Sequence, residues 1–349
     1  MEYCHHYTYL GVTLNEYLDF RFTCKVQSDS ASRALSAIVT KMIKNSGFPY
    51  NIYSLLYESC VTSISDYGAE IFGYNDYDSN LNLHLRAIRA FIGVPKNAAK
   101  AGVLSEIGWV LPKYRTQIRM IRYYHRLLKM PEQRLSKKIF IWDKELKIQN
   151  WTNEIKTIFY QAGQGMIFDT GTIFSLKPVL EDIKNAQMRS QKFSLELECI
   201  NKPKLRTFIT IKDFNTIPTY ITKPLTFIQR KFMAKLRLGC LPIRLETGRF
   251  CRPKIPENER ICQVCINADP NYLYKNEIES EVHIIFNCNR YKEMRQKWLQ
   301  KLTLPLDFAL LTLYKKLDIV LNHAKNVKFT AQYLIDLINL RSEFILTII

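Results

Sequence analysis

The sequence has few acidic residues and no long apolar run. Its 349 residues include 50 Lys and Arg but 32 Asp and Glu, which gives a formal net charge of +18. This excess favours polyanionic partners such as RNA or DNA. No apolar stretch reaches the roughly eighteen residues of a transmembrane helix, and the first twenty residues lack the apolar core of a signal peptide. We therefore expect an intracellular protein, in the nucleus or cytoplasm, with no membrane partner.

Signatures of catalysis are also missing. Two-metal polymerases need carboxylates that converge on Mg²⁺, and no Asp-Asp dipeptide occurs in the chain. The sequence contains neither a GxxxxGK[ST] phosphate loop nor an HExxH motif. The densest acidic group, from Asp66 to Asp78, flanks turn-like Tyr and Gly positions and is expected to face solvent. The sequence therefore indicates no catalytic residue.

The nine cysteines are an odd number in a long chain, which favours reduced thiols over a disulfide framework. Cys262 and Cys265 are separated by two residues, and His283 and Cys288 follow with four residues between them. Such pairs can place four ligands on one tetrahedral ion and leave no position for a catalytic water. The pattern predicts structural Zn²⁺. The alternative is three buried cysteines that cluster by chance with a hydrogen-bonded histidine, and Cys251 is a spare ligand.

Hydrophobic periodicity predicts a mainly helical fold. A short N-terminal β-hairpin is expected within residues 7–22, with its turn at Asn15-Glu16, because aromatic or β-branched residues alternate there with polar ones. Residues 208–222 are rich in Thr and Ile and predict a strand or a linker. Apolar residues at helical spacing predict helices at 30–44, 50–65, 81–92, 98–107, 113–129, 150–161, 178–199, 226–238, 304–324 and 329–349.

Cations follow one face of the predicted helix at 113–129. Their spacing of four, three, four and three residues confines them to an arc of roughly 80°. Such a face can follow a row of phosphates, and an ordinary solvated surface is the alternative. A second basic segment leads into the cysteine cluster. The residues predicted to contact nucleic acid are Arg115, Arg119, Arg122, Arg126, Lys129, Arg230, Lys231, Lys235, Arg237 and Arg249.

Short motifs occur in order along most of the chain. They are Tyr9-Leu10-Gly11, Tyr67-Gly68-Ala69-Glu70-Ile71-Phe72-Gly73, the segments 89–95, 104–108, 236–239 and 248–250, and the four potential metal ligands. Taken in order, they resemble the C-terminal region of a non-LTR retrotransposon reverse transcriptase, with its thumb and CCHC zinc-binding parts. Phe72 stands where that family has Trp. The resemblance implies contact with template RNA and primer DNA, and a chain truncated before the catalytic palm.

With this resemblance, the chain divides into five regions. A palm-end hairpin similar to the primer grip occupies 1–25, a thumb-like helical domain 26–162, a connecting region 163–222, a basic helix with the CCHC zinc-binding domain 223–300, and C-terminal helices 301–349. We interpret the chain as a non-catalytic nucleic-acid-binding remnant of a reverse transcriptase. Two alternatives stay open: the C-terminal part of a longer active RNA-directed DNA polymerase, and a domesticated protein-interaction module. The sequence does not determine the oligomeric state.

Overall fold

A computed structural model describes residues 4–17, 19–146, 150–268 and 277–346. Within these ranges the chain forms nineteen α-helices and one two-stranded antiparallel sheet. The mainly helical fold with a short N-terminal hairpin, predicted from the sequence, is therefore confirmed. None of the helices in these ranges combines the length and the apolar character that crossing a lipid bilayer requires.

The N-terminal hairpin turns earlier than predicted. Strands β1 (His6–Tyr9) and β2 (Val12–Asn15) pair with Tyr9 opposite Val12, so two residues join them. These residues, Leu10 and Gly11, both have positive φ, 47° and 83°. Two positive φ values are typical of a type I′ turn, whose twist matches that of the flanking strands. The predicted turn at Asn15-Glu16 is wrong, because β2 ends at Asn15.

Ten helices precede residue 171. They are α1 (Arg21–Lys44), α2 (Tyr50–Leu56), α3 (Ser63–Ser65), α4 (Ala69–Phe72), α5 (Asp78–Ile92), α6 (Lys100–Ile107), α7 (Pro112–Lys129), α8 (Leu135–Glu145), α9 (Trp151–Gln161) and α10 (Gly165–Thr170). A π-helical segment, Tyr57–Thr62, joins α2 to α3. Helix α1 begins nine residues before its predicted start, and α8 was not predicted. Helix α8 buries Phe140 but exposes Leu135, Ile139 and Trp142, so its apolar residues do not form a single core-facing stripe.

Nine helices follow residue 171. They are α11 (Leu176–Ile200), α12 (Arg206–Ile211), α13 (Thr219–Thr222), α14 (Phe227–Arg237), α15 (Arg244–Thr247), α16 (Gln263–Ala268), α17 (Lys292–Leu299), α18 (Leu313–Asn322) and α19 (Val327–Leu346). The predicted strand at 208–222 is wrong: α12 and α13 occupy the two ends of this range, and a non-helical connection at 212–218 joins them. Phe208 and Ile211 are both buried, at the spacing of one helical face. Their burial overrides the strand preference of the surrounding β-branched residues.

The chain divides into two compact units. The first comprises Met1–Ile38, Leu55–Ala87 and Trp109–Ser194, and the second comprises Val39–Ser54, Ile88–Gly108 and Leu195–Ile349. Helices α1, α2, α5 and α11 contribute residues to both units. The division into two units does not test the five consecutive regions predicted from the sequence, which remain a prediction.

The core of the first unit surrounds Tyr124 on α7. Its ring lies 5.7 Å from the ring of Phe140, 5.6 Å from that of Phe159 and 5.8 Å from that of Phe168. These contacts bury the apolar face of α7 against α8, α9 and α10. The opposite face of α7, which carries the predicted row of cations, is consequently directed away from this core.

In the second unit, α19 supports both α14 and the segment with the cysteine cluster. It packs against α14, α16 and α17. Tyr333 of α19 stacks on Trp298 of α17, with ring centroids 4.1 Å apart and nearly parallel planes. The hydroxyl of Tyr333 also donates to the carbonyl oxygen of Ile285, at 3.2 Å, within the turn between His283 and Cys288. The cluster is thus attached to a long, buried helix.

Candidate metal centre and basic surfaces

The structure brings together the four residues that the sequence predicts as metal ligands. Cys262, Cys265, His283 and Cys288 are all buried, and their ligand atoms lie within 4.8 Å of one another. The Sγ atom of Cys265 is 3.3 Å from that of Cys288 and 3.5 Å from Nε2 of His283. Three thiols and one imidazole form a donor set that suits a tetrahedral metal ion. The residues present therefore fit a metal ion with no coordination position left for substrate.

Backbone pairing brings the two halves of the cluster together. Ile261 and Ile278 form an antiparallel bridge. The amide of Cys262 donates to the carbonyl oxygen of Glu277 at 3.0 Å, and the amide of Glu279 donates to that of Arg260 at 2.9 Å. These bonds place Cys262 next to the segment that leads into His283. A π-helical turn, His283–Asn287, then carries the chain on to Cys288.

The carboxylate of Glu277 holds the histidine of the cluster in place. Nδ1 of His283 donates a hydrogen bond to Oε2 of Glu277, which fixes the tautomer and directs Nε2 towards the thiols. A metal-binding histidine usually has such a carboxylate or carbonyl partner, which orients the ring and increases its basicity. The sequence analysis did not identify Glu277 as part of the site.

The thiols influence one another's protonation. Hydrogen bonds with Cys262 and with Cys288 lower the pKa of Cys265 to about 4, whereas hydrogen bonds with the same group of sulfurs raise the pKa of Cys288. These contacts favour loss of the proton from Cys265 over its loss from Cys288. A thiolate is the form of cysteine that binds metal.

Two further glutamates fix the segment that precedes His283. Glu279 accepts hydrogen bonds from Nε and Nη2 of Arg341, at 2.6 and 2.7 Å. Glu281 accepts two from Nη2 of Arg206, at 2.8 and 2.9 Å. Both carboxylates are about 1% exposed. Together with Glu277, these glutamates place a carboxylate at every second residue, and each carboxylate has its own hydrogen-bond partner. The Glu-x-Glu-x-Glu spacing is the feature of the sequence from which this group of structural carboxylates could have been predicted.

Cys251 is separate from the cluster. Its Sγ lies 3.7 Å from the carbonyl oxygen of Thr247, and it does not belong to the group of four ligands. The spare-ligand role considered for Cys251 therefore has no support, since four ligands already surround one point.

The predicted cations of α7 divide into half-buried and exposed side chains. Arg122, Arg126 and Lys129 are exposed, and Arg119 is half-buried. None of the three exposed side chains forms an ion pair with an acidic group in the described ranges. Arg126 lies over the ring of Tyr123, 5.5 Å from its centroid. We call Arg122, Arg126 and Lys129 the exposed row.

Arg115 does not belong to that row. Its Nε and Nη2 bind the carboxylate of Asp66 at 3.0 and 3.2 Å. Asp66 is buried, with its side chain 2% exposed, which corrects the expectation that it faces solvent. Arg115 therefore neutralises a buried carboxylate, and this pairing replaces the nucleic-acid contact assigned to it from the sequence.

Two cations of the second basic segment are fully buried. Arg230 donates to the carbonyl oxygens of Phe91 and Phe48, at 3.3 and 2.8 Å, and its guanidinium lies 4.0 Å from the centroid of the Phe91 ring. Burial lowers the pKa of Arg230 to about 10. Arg237 forms an ion pair with Glu106. Both side chains are 1% exposed, so the predicted contact with phosphates is wrong for them.

The other cations of this segment reach the surface in part. Lys231 and Lys235 are half-buried. Arg249 is 25% exposed, with its Nε 3.3 Å from the carboxylate of Glu246. Lys231 and Lys235 are thus the members of the segment that have both some exposure and no ion pair with a described acidic group.

Comparison with known proteins gives no family for this chain. No protein-family model, curated protein or solved structure matches it. The resemblance to reverse transcriptases therefore rests on the sequence motifs alone. The metal-ligand cluster and the exposed row are observations of this structure and do not depend on it.

Proposed function

We propose that this chain is a non-catalytic nucleic-acid-binding protein, related to the C-terminal region of non-LTR retrotransposon reverse transcriptases, with one structural zinc ion. It acts in the nucleus or cytoplasm, where RNA and DNA are available. The observation that carries the proposal is the exposed row on α7, three cations without acidic partners in the described ranges on a helix whose other face is packed in a core. The net charge of +18 also favours binding to a polyanion such as RNA or DNA.

The metal is proposed to be zinc because of its ligands. Three cysteine sulfurs and one imidazole are the donors of closed structural zinc sites, whereas Mg²⁺ and Ca²⁺ take oxygen ligands. Cys262, Cys265, His283 and Cys288 would hold the ion and Glu277 would orient the imidazole. The ion would link α16 to the turn before α17, so its contribution is to folding and not to a reaction.

The rigidity of α7 explains how the exposed row would bind. Arg122 and Lys129 are seven residues apart, about 10 Å along the helix axis. Because the helix is held by its buried face, the backbone positions of the three cations are already aligned, and less backbone freedom is lost when they meet phosphates. Neutralised phosphates release counterions, so the affinity would fall steeply with salt.

The test measures how affinity depends on salt. The full chain, purified with zinc, is titrated into fluorescent RNA and DNA at several salt concentrations. Substitution of Arg122, Arg126 and Lys129 by Gln is expected to weaken binding and to flatten the log–log salt slope by roughly 0.9 for each lost duplex phosphate contact. The matched control replaces the exposed Lys177, Lys184 and Arg189 of α11 by Gln, with the same loss of charge.

Three outcomes are informative. An effect confined to the exposed-row variant supports the proposal. If both variants weaken binding equally, the exposed row contributes only general surface charge and is not a specific binding surface. Failure of the unmodified protein to bind RNA or DNA at low salt, together with salt-resistant binding of an acidic protein, would replace the proposal by the protein-interaction module.

A further inference from the structure

An apolar groove lies in the first unit beside the exposed row. It has a volume of about 330 Å³ and is lined by Ile71, Tyr123 and Leu127, by residues of α8 and by Trp151 at the start of α9. The volume is at the lower limit of small-ligand pockets. Tyr123 and Leu127 belong to α7, so one wall of the groove is immediately next to Arg122 and Arg126.

Helix α8 also carries an exposed apolar face, which shares Ile139 with the groove lining. Leu135 is 71% exposed, Ile139 is 53% exposed and Trp142 is 62% exposed. They recur at intervals of four and three residues and therefore share one side of the helix. An exposed tryptophan beside two exposed aliphatic residues is an uncommon surface for a soluble helix, and such contiguous patches mark interaction sites.

The cations that neighbour the groove-lining residues along the chain form no ion pair with a described acidic group. Lys138 is exposed on α8, one residue before the groove-lining Ile139. The acidic residue in the groove wall, Asp143, is already engaged, because its Oδ2 accepts the amide of Thr152 at 3.1 Å and caps α9. An incoming anion therefore meets cations at the rim, and the carboxylate in the wall already has a hydrogen-bond partner.

We propose that this groove and the exposed face of α8 beside it receive unpaired bases of single-stranded nucleic acid, with Trp142, outside the groove lining, as a stacking surface and the exposed row holding the phosphates. The proposal rests on the nucleic-acid-binding function above and specifies its ligand. Aromatic faces alternating with cations are the arrangement that binds single strands, since every base has a flat apolar face. Arg126, which lies over Tyr123, places a cation and a ring side by side.

The shape of the groove favours a single strand over other polyanions. In a duplex, the bases are stacked on one another and cannot enter a recess in a protein without leaving the helix. An acidic amphipathic helix would need a continuous groove for anchors repeated over several turns. A recess of about 330 Å³ instead accommodates one or two flat groups.

The test compares single-stranded and duplex binding by the full chain. Anisotropy is measured with a fluorescent oligouridylate, and with a blunt duplex of the same length at the same salt concentration. Trp142→Ala is expected to weaken single-strand binding about tenfold, the effect of losing one stacked base, and to leave duplex binding within about twofold. Trp142→Phe keeps an aromatic face and should restore most of the affinity. Phe193→Ala is the matched control, because Phe193 is 66% exposed and belongs neither to α8 nor to the groove lining.

Failure of this inference can be distinguished from failure of the proposed function. If Trp142→Ala binds single strands as tightly as the unmodified chain, while the exposed-row variant still binds more weakly, the groove proposal is wrong. The proposed nucleic-acid-binding function is then retained. Equal losses for single strand and duplex also overturn the groove proposal. If the unmodified chain binds no nucleic acid, but binds an acidic amphipathic peptide in a Trp142-dependent way, both proposals are wrong and the groove is a peptide site.

Discussion

The carboxylate of Glu277 accepts a hydrogen bond from Nδ1 of His283, and this contact decides which ring nitrogen faces the three cysteines. Glu277 is six residues before His283, in the segment that pairs with Ile261 and Cys262. The glutamate therefore connects the backbone pairing of this segment with the geometry of the cluster.

Glu277→Gln is expected to weaken zinc binding by about 10- to 100-fold, because the amide orients the imidazole less firmly and does not increase its basicity. Competition with a chromophoric chelator measures the affinity. Glu257→Gln is the control, since Glu257 is exposed and lies outside the cluster. Equal affinities of the two variants would show that Glu277 does not orient the ligand.

Removal of the metal is expected to unfold the region near residues 250–300 and to leave the first unit folded, because a structural zinc ion contributes folding free energy locally. Chelation and the double substitution Cys265→Ser with His283→Ala should both produce new protease cleavage sites there. Limited proteolysis with mass spectrometry locates them. The Cys251→Ser variant is the control and should be cleaved at the same sites as the unmodified protein. An unchanged cleavage pattern after chelation would contradict a structural role for the metal.

Arg115→Gln is expected to lower the free energy of unfolding by about 3 to 5 kcal/mol, because it leaves the buried carboxylate of Asp66 without its ion-pair partner. Arg119→Gln on the same helix is the control, with an expected change below about 0.5 kcal/mol. Urea denaturation measures both. A small effect of Arg115→Gln would mean that Asp66 finds another partner or takes up a proton.

Stability is expected to decrease as the pH falls below about 6.5, in part because of His84. Burial, and then the charge of Arg115, hold the pKa of His84 well below its ordinary value. The unfolded chain therefore binds a proton in a range where the folded chain does not, so protonation favours unfolding.

Each such proton changes the free energy of unfolding by up to about 1.4 kcal/mol per pH unit. Denaturation between pH 7 and pH 5 should give a shallower pH dependence for His84→Gln than for the unmodified chain. His323→Gln removes an exposed histidine and serves as the control. Parallel curves for all three proteins would exclude His84 as a contributor. Tyr57 Oη lies 2.9 Å from Nδ1 of His84, so the Gln variant keeps a polar group at this contact.

Local patterns predicted local structure well. The helix expected at 113–129 is α7, Pro112–Lys129. Its signals, a proline at the first helical position and apolar residues at helical spacing, all lie within the helix itself. The four metal ligands were also predicted, since their spacing alone indicates how they can converge. Helix α8 was missed because its exposed Leu135, Ile139 and Trp142 obscure the usual amphipathic pattern.

The sequence by itself determined the helical class, the four residues of the cysteine and histidine cluster, and the positive charge. The tertiary structure decided which cations are available at the surface. Arg237 meets Glu106, 131 residues away along the chain, and Arg115 meets Asp66, 49 residues away. A helical spacing cannot reveal such partners, because the burial of a charged side chain depends on groups that folding brings together from distant segments.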